Sequence, residues 1–363
     1  MRKFTNLLQA SPLLWSMINM KTLLVILLLL VSSSSFAAFN HHCYLAKTFR
    51  AAEGVEYSTP DGSTVYGCHL NSNNPYGLFH LAAHGEKTDK NTLEIYEGYY
   101  DAGNGVNGWR IGRLPMYYGL YSENRVVRDT QDFMMYPPSI YRDNVWPTSQ
   151  SIDGVSFYSS SEHVGYDHQH IYNLALGAPI GLRNRALALE LTHNPDAQLS
   201  HAYGFSSGMR ISGARDDFRV DAQYMSVKQD ISQERKEFAR LLAGGRRYMG
   251  NQFDLASEFM VIKVYDAGIT SSSWNVAARY QATPKWRIHA FYDINCNGLK
   301  VCSGGESFTN HTFSLYTDYV LNKHLKLQAQ AVRGHGVPSF NTLYVTSAEP
   351  RWSVFMLGAV LNF

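Results

Sequence analysis

Apolar and polar positions alternate with period two along most of the chain. In HLKLQAQAVR, Leu325, Leu327, Ala329 and Ala331 take one face; Lys326, Gln328 and Gln330 take the other. TFSLYTDYVL sets Phe313, Leu315, Thr317, Tyr319 and Leu321 against Thr312, Ser314, Tyr316 and Asp318, and WRIHAFYDI sets Trp286, Ile288, Ala290, Tyr292 and Ile294 against Arg287, His289 and Asp293. WNVAARYQ, FRVDAQY and YGFSSGMRI follow the same rule. A period of two predicts strands with two unlike faces. The closing stretch SVFMLGAVLNF keeps the rhythm to its final residue, with Phe355, Leu357, Ala359, Leu361 and Phe363 on one face.

The apolar faces begin or end on Trp, Tyr or Phe, as transmembrane strands do at the two membrane interfaces. Connectors alternate in length: Thr283–Lys285 and Asn322–Lys323 are tight, whereas NCNGLKVCSGGESFTN and GHGVPSFNTLYVTSAEP are long. In a bilayer every backbone group must be paired, so such a sheet has to close on itself. The pattern therefore predicts an all-β transmembrane antiparallel barrel of about 16 strands. The strand pattern is clear from near Tyr76 onward and weaker before it. GSTVYGCHLNSNNP reads as loop and turn, and the charge run QERKEFARLLAGGRR as a solvated loop leading into a strand. A soluble sandwich would also alternate, but with its apolar face inward.

The N-terminus changes the compartment. From Met20, MKTLLVILLLLVSSSSFA has one Lys, an apolar run from Leu23 to Val31 and a small-residue site ending at Ala37, the form of an export signal. Residues 1–37 are expected to be an extension plus signal peptide with Met20 as the true start, and residues 38–363 the barrel. No lipid anchor is expected at Cys43. The net charge of +2 with 17% charged residues gives no reason to expect nucleic-acid binding. The mean hydropathy of −0.25 hides the strands, and 24 tyrosines are a heavy load of an interfacial residue. Four cysteines, Cys43, Cys68, Cys296 and Cys302, in an exported chain predict disulfides. Cys296 and Cys302 would staple a loop tip.

One segment breaks the rhythm. After Trp109–Arg113, Pro115, Pro137, Pro138 and Pro147 exclude a central strand, and a structureless stretch of this length inside a compact fold points to function. It carries Tyr117, Tyr121, Arg125, Arg128, Asp129, Asp132, Arg142 and Asp143. Folded into the lumen, it would narrow the barrel and place charge across a water-filled pore. The inward positions elsewhere are mixed in sign: Arg110, Arg210, Arg219, Arg279, Arg287 and Lys326 against Asp221, Asp254, Glu258, Asp293 and Asp318.

GRLPMYYGLYSENRVVRDTQDFMMYPPSIYRD resembles the corresponding segment of the phosphate-selective and dicarboxylate-type porin-like families. The resemblance implies 16-stranded homotrimers with an inward-folded loop, set in the lipid bilayer and lipopolysaccharide of a Gram-negative outer membrane. It also implies that the barrel-assembly machinery reads the terminal Phe363. Phosphate-selective members use a lysine-rich inner ladder, which the mixed inward charges here lack. The expected function is a porin, a channel for passive diffusion of small hydrophilic solutes with weak anion preference and no cofactor. An adhesin or surface-receptor barrel is the alternative, and an outer-membrane enzyme the third reading; no nucleophile elbow is present. His168 and His170 share a strand face, but such a pair on a half-wet strand is expected to be solvated, not a metal site.

Overall fold

The computed structural model describes residues 39–57, 63–74, 77–87, 91–115, 119–121, 134, 137, 140–141, 151–163, 165–178, 199–229, 235–265, 268–297, 309–336 and 345–363. The strands are β1 Phe39–Tyr57, β2 Ser63–Asn74, β3 Gly77–Lys87, β4 Asn91–Gly103, β5 Asn107–Pro115, β6 Ser151–His163, β7 Tyr166–Ala178 and β8 Leu199–Gly213. They continue with β9 Asp216–Gln229, β10 Arg235–Met249, β11 Phe253–Val264, β12 Ile269–Thr283, β13 Trp286–Asn297, β14 Thr309–Asn322, β15 Leu325–His335 and β16 Val345–Asn362. Each pairs antiparallel with its sequence neighbours, and β1 closes on β16 from Tyr44↔Asn362 to Tyr57↔Val345. The result is the closed 16-stranded barrel that the alternation predicts.

At one end, seven connections span two or three residues each; the connections at the other end run up to the 35 residues between β5 and β6. Asparagines shape the tight turns. Asn104 Oδ1 accepts from the backbone N–H groups of Val106 and Asn107, and Asn322 Oδ1 from those of His324 and Leu325.

Two stretches differ from the expectation. Residues 63–74 form β2, not loop and turn: Thr64, Val65 and Tyr66 are good strand formers, and the ladders to β1 and β3 override the Asn/Ser/Gly signals that follow. The charge run at 235–247 lies within β10, not a solvated loop. Alternate charges there turn into the lumen, where Arg240 and Arg246 meet partners on neighbouring strands.

The barrel is inside-out relative to a soluble one. Its exposed large apolar side chains lie on the outward face, in pairs six residues apart: Tyr166/Tyr172, Phe218/Tyr224, Phe253/Phe259, Trp274/Tyr280, Trp286/Tyr292 and Phe313/Tyr319. Six residues span about 20 Å along a strand, less once the strand tilts, so the pairs form two aromatic girdles flanking an aliphatic band. Indole N–H groups in such a belt need partners because lipid offers none. Trp274 Nε1 donates to Ser257 Oγ and Trp286 Nε1 to Thr317 Oγ1, both at 2.8 Å and both outward-facing hydroxyls.

The seam between first and last strands is reinforced. Cys43 exchanges both backbone hydrogen bonds with the terminal Phe363, at 3.1 and 3.0 Å, and forms a disulfide with Cys68, its opposite residue on β2. Cys296 is also disulfide-bonded; Cys302 lies outside the described residues, as do residues 1–37. Closing a chain segment of 25 residues constrains the unfolded state by about 3 kcal/mol. Replacing Cys43 and Cys68 by Ser is therefore expected to leave the barrel folded but to lower its thermal unfolding temperature, read from the loss of the compact band on heated gels. An unchanged transition would show that the strand ladder alone sets seam stability.

Candidate functional site

The inner wall has two chemistries. Along β10–β16 many inward positions are apolar: Leu242, Met260, Phe291, Val332, Trp352, Val354 and Met356 are all buried. Against them pack Leu120, Tyr121, Met134, Ile140 and Tyr141, from the segment between β5 and β6. The described residues of that segment therefore lie in the lumen, against one side of it.

Wall carboxylates hold its start. Gly119 N–H donates to Asp221 Oδ2 at 2.8 Å, and Leu120 N–H to Glu258 Oε1 at 2.6 Å. Tyr141 O–H donates to the same Glu258 oxygen, while Asn275 Nδ2 donates to Glu258 Oε2 at 3.0 Å. Glu258 is 1% exposed, so this hub works in low dielectric, where satisfied polar networks hold firmly. Burial first, and then the adjacent Glu258 charge, push the Tyr141 phenol well above its ordinary 10.0; it remains a donor at any working pH. Two glycines make the fit possible. Gly119 has φ +73°, and a Cβ there would strike the Tyr141 hydroxyl and Glu258. Gly244 sits opposite Glu258 on β10 and leaves room for Glu258 and the Leu120 side chain.

The ionic groups come in pairs. Arg110 binds Asp101, Arg210 binds Asp217, Arg219 binds Asp221, Arg279 binds Asp254 and Arg287 binds Asp318, at 2.5–2.8 Å. Formal charge nearly balances, but exposure does not. The side chains of Arg210, Arg279, Arg287 and Arg110 are 31%, 30%, 22% and 18% exposed, while their carboxylates are 6%, 6%, 0% and 9%. The guanidinium groups meet water and the carboxylates sit behind them. Arg219 and Lys326 lie on the same inward face, both buried.

On β3–β6 a second cluster stacks across the strands. The His80 ring lies on Tyr99 at 4.9 Å, and the Arg110 guanidinium stands 5.3 Å from the Tyr99 ring and 4.4 Å from that of Tyr158. Tyr158 O–H donates to Asp101, and His80 Nε2 lies 2.8 Å from Glu97. These contacts stiffen the wall opposite the apolar one.

Of the segment residues singled out in the sequence, Tyr121 is buried in the lumen, with Arg246 4.9 Å above its ring. Tyr117, Arg125, Arg128, Asp129, Asp132, Arg142 and Asp143 lie outside the described residues. His168 and His170 are on the outward register of β7, opposite Ser161 and Ser159. Among the described residues no group of three His, Cys, Asp or Glu could hold a metal ion. Sequence reasoning missed the apolar inner wall and Glu258 as its hub. The signal was present in stretches such as EFMVI and SVFMLGAV, where both faces are apolar, the mark of a strand covered on both sides.

Fold and lumen define a transmembrane barrel with Leu120, Tyr121, Met134, Ile140 and Tyr141 packed inside it. No protein-family model and no curated protein matches the sequence. Solved structures do. The outer-membrane channel DcaP of Acinetobacter baumannii superposes with a TM-score of 0.62 at 11% identity, over 91% of this chain and 99% of that one. The anion-selective porin from Comamonas acidovorans gives 0.60 at 12%, over 90% and 99%. OmpT of Vibrio cholerae in its trimer form gives 0.61 at 10%, over 90% and 99%. The chain thus has the 16-stranded fold of outer-membrane porins.

Proposed function

We propose that this protein is an outer-membrane channel for passive diffusion of small hydrophilic solutes, with weak anion preference. The observation that carries the reading is the exposure asymmetry of the lumenal ion pairs. A solute in the lumen meets guanidinium groups first, and in a narrow water-filled space of reduced dielectric a few such charges bias ion entry. The buried carboxylates behind them keep the bias small. A passive channel also fits the state of these groups better than catalysis does, since Asp101, Asp217, Asp254 and Asp318 are each bound to arginine. Homotrimeric assembly, insertion by the barrel-assembly machinery and contact with lipopolysaccharide belong to the same reading; the trimer form of the Vibrio cholerae protein supports the first by analogy.

In this account residues 116–150 form the constriction, and Arg125, Arg128 and Arg142 add to its positive side, opposed by Asp129, Asp132 and Asp143. Arginine stays charged at any working pH. Replacing the three arginines by Ala should move the reversal potential in a salt gradient toward cation preference. Unchanged selectivity would place these residues away from the permeation path.

How closely Tyr121, Met134, Ile140 and Tyr141 pack against the wall, each under 9% exposed, favours one other reading, a narrow receptor barrel that works through its long loops. Conductance separates the two.

A further inference from the structure

Cys68 on β2, Cys43 on β1 and the terminal Phe363 stand in one row across the seam. Cys43 gives both its backbone groups to Phe363 and its side chain to Cys68. Toward β2 it therefore forms a non-hydrogen-bonded pair, the kind whose side chains stand closest, and the two Cα atoms are 4.1 Å apart. Both sulfurs belong to the outward face. Leu45 and Phe49, next on that face of β1, are exposed, and Tyr66, two residues from Cys68, stands opposite Leu45.

The two strands are poor at fixing their own register. On the outward face of β1, Lys47 comes between Leu45 and Phe49, while His42, Tyr44 and Thr48 face inward. β2 sets Tyr66, Cys68, Leu70 and Ser72 against Gly67, His69 and Asn71. A one-residue slip exchanges the two faces of a strand, and a one-sided apolar pattern is what resists it. Here the pattern is mixed, yet the ladder runs unbroken from Phe39↔Ser72 to Thr48↔Ser63. The fit also depends on this register: Gly67 stands opposite Tyr44, and a Cβ there would strike the Tyr44 ring.

We propose that the Cys43–Cys68 disulfide is made on the β1–β2 hairpin before the barrel enters the membrane, by exchange with a protein disulfide of the periplasm, and that it sets the register in which β16 closes the seam. One cysteine thiolate attacks the oxidant's disulfide and displaces one of its sulfurs as a thiolate. The second cysteine then attacks the mixed disulfide and releases the other. Two electrons and two protons pass to the oxidant, which leaves as a dithiol. Apolar surroundings disfavour the attacking thiolate, and a protein oxidant has no path to a lipid-facing sulfur, so the reaction belongs before insertion. The inference concerns assembly and stands whether or not the barrel conducts.

The test follows newly made full-length chain in cells by isotope pulse. Free thiols are blocked, disulfides are reduced and relabelled, and the Cys43 and Cys68 peptides are read by mass spectrometry in the folded, heat-modifiable pool and in the pool not yet folded. Both cysteines are expected to be oxidised already in the second pool. In cells lacking the periplasmic thiol oxidant the yield of folded native chain should fall several-fold. Cys43→Ser with Cys68→Ser should assemble at that lower level in both hosts. Refolding into lipid vesicles makes the same comparison without a host: oxidised chain should close several-fold faster than reduced chain. Folded barrel that still carries the Cys43 and Cys68 thiols and oxidises them later would overturn the order of events. Equal refolding rates, a native yield that ignores the oxidant, or a serine pair that depends on the oxidant as the native chain does would overturn the register role.

Discussion

Replacing Glu258 by Ala is expected to undock the inner segment and raise the conductance of the barrel severalfold. Glu258 is the acceptor for Leu120 N–H, Tyr141 O–H and Asn275 Nδ2. Alanine strands at least the first two donors in a buried site, at a cost of about 1–3 kcal/mol each. A loss of about 2–6 kcal/mol is a factor of about 30 or more in the docked population. The barrel itself is held by its backbone ladder and should stay folded. Glu258→Gln makes the contrast: its amide oxygen can still accept from Leu120 and Tyr141, and its NH2 can donate to Asn275 once that amide turns over. The glutamine variant should therefore conduct close to the native level. The readouts are single-channel conductance and limited proteolysis within 116–150. Equal conductance and equal protection in the alanine variant would mean that apolar packing against Leu242, Met260 and Phe291 holds the segment without the hub.

Deleting Phe363 should sharply reduce the yield of closed barrel. Its N–H and C=O form the last hydrogen-bonded pair of the seam, with Cys43, and its ring is 66% exposed at the end of the apolar outer face. The deletion removes both bonds and puts the chain-terminal charge on Asn362, which faces the lumen side of β16. Phe363→Asp keeps the backbone pair and places a charge at the edge of the lipid belt instead. Both variants should leave less heat-modifiable protein in the outer membrane and more periplasmic aggregate. Normal assembly of the deletion would place the assembly information elsewhere in β16; failure of the deletion with success of the Asp variant would assign the effect to the backbone seam.

The barrel was legible because its rule is local. One face of every strand meets lipid, so an exposed Leu315 or Phe355 follows from period two alone, and tight turns such as Asn322–Lys323 mark the short-looped end. What the sequence did not display is where alternation stops carrying information. In β16, Val354 and Met356 are as apolar as Phe355 and Leu357; the first two belong to a buried cluster inside the lumen that also holds Met134, Ile140 and Tyr141, more than 200 positions away in the chain. Glu258 looked like any inward charge, because its importance lies in the backbone N–H of Leu120 and the hydroxyl of Tyr141, both distant in the chain. β2 was obscured for the opposite reason: its Asn, Ser and Gly content mimics a loop, and only pairing with β1 and β3 makes it a strand. The arginines stood out as lumenal, but their balance with aspartates was misleading at the level of sequence. Which partner faces water is decided by depth in the wall, and there the long arginines reach past the short carboxylates.

Planar-bilayer recording of the refolded protein decides between an open channel and a closed receptor barrel. Stepwise, ohmic conductance increments are expected in potassium chloride and, in a salt gradient, a reversal potential displaced modestly toward the chloride equilibrium value. A correctly folded, heat-modifiable barrel that inserts yet gives no conductance steps would contradict the channel and leave the receptor reading in its place.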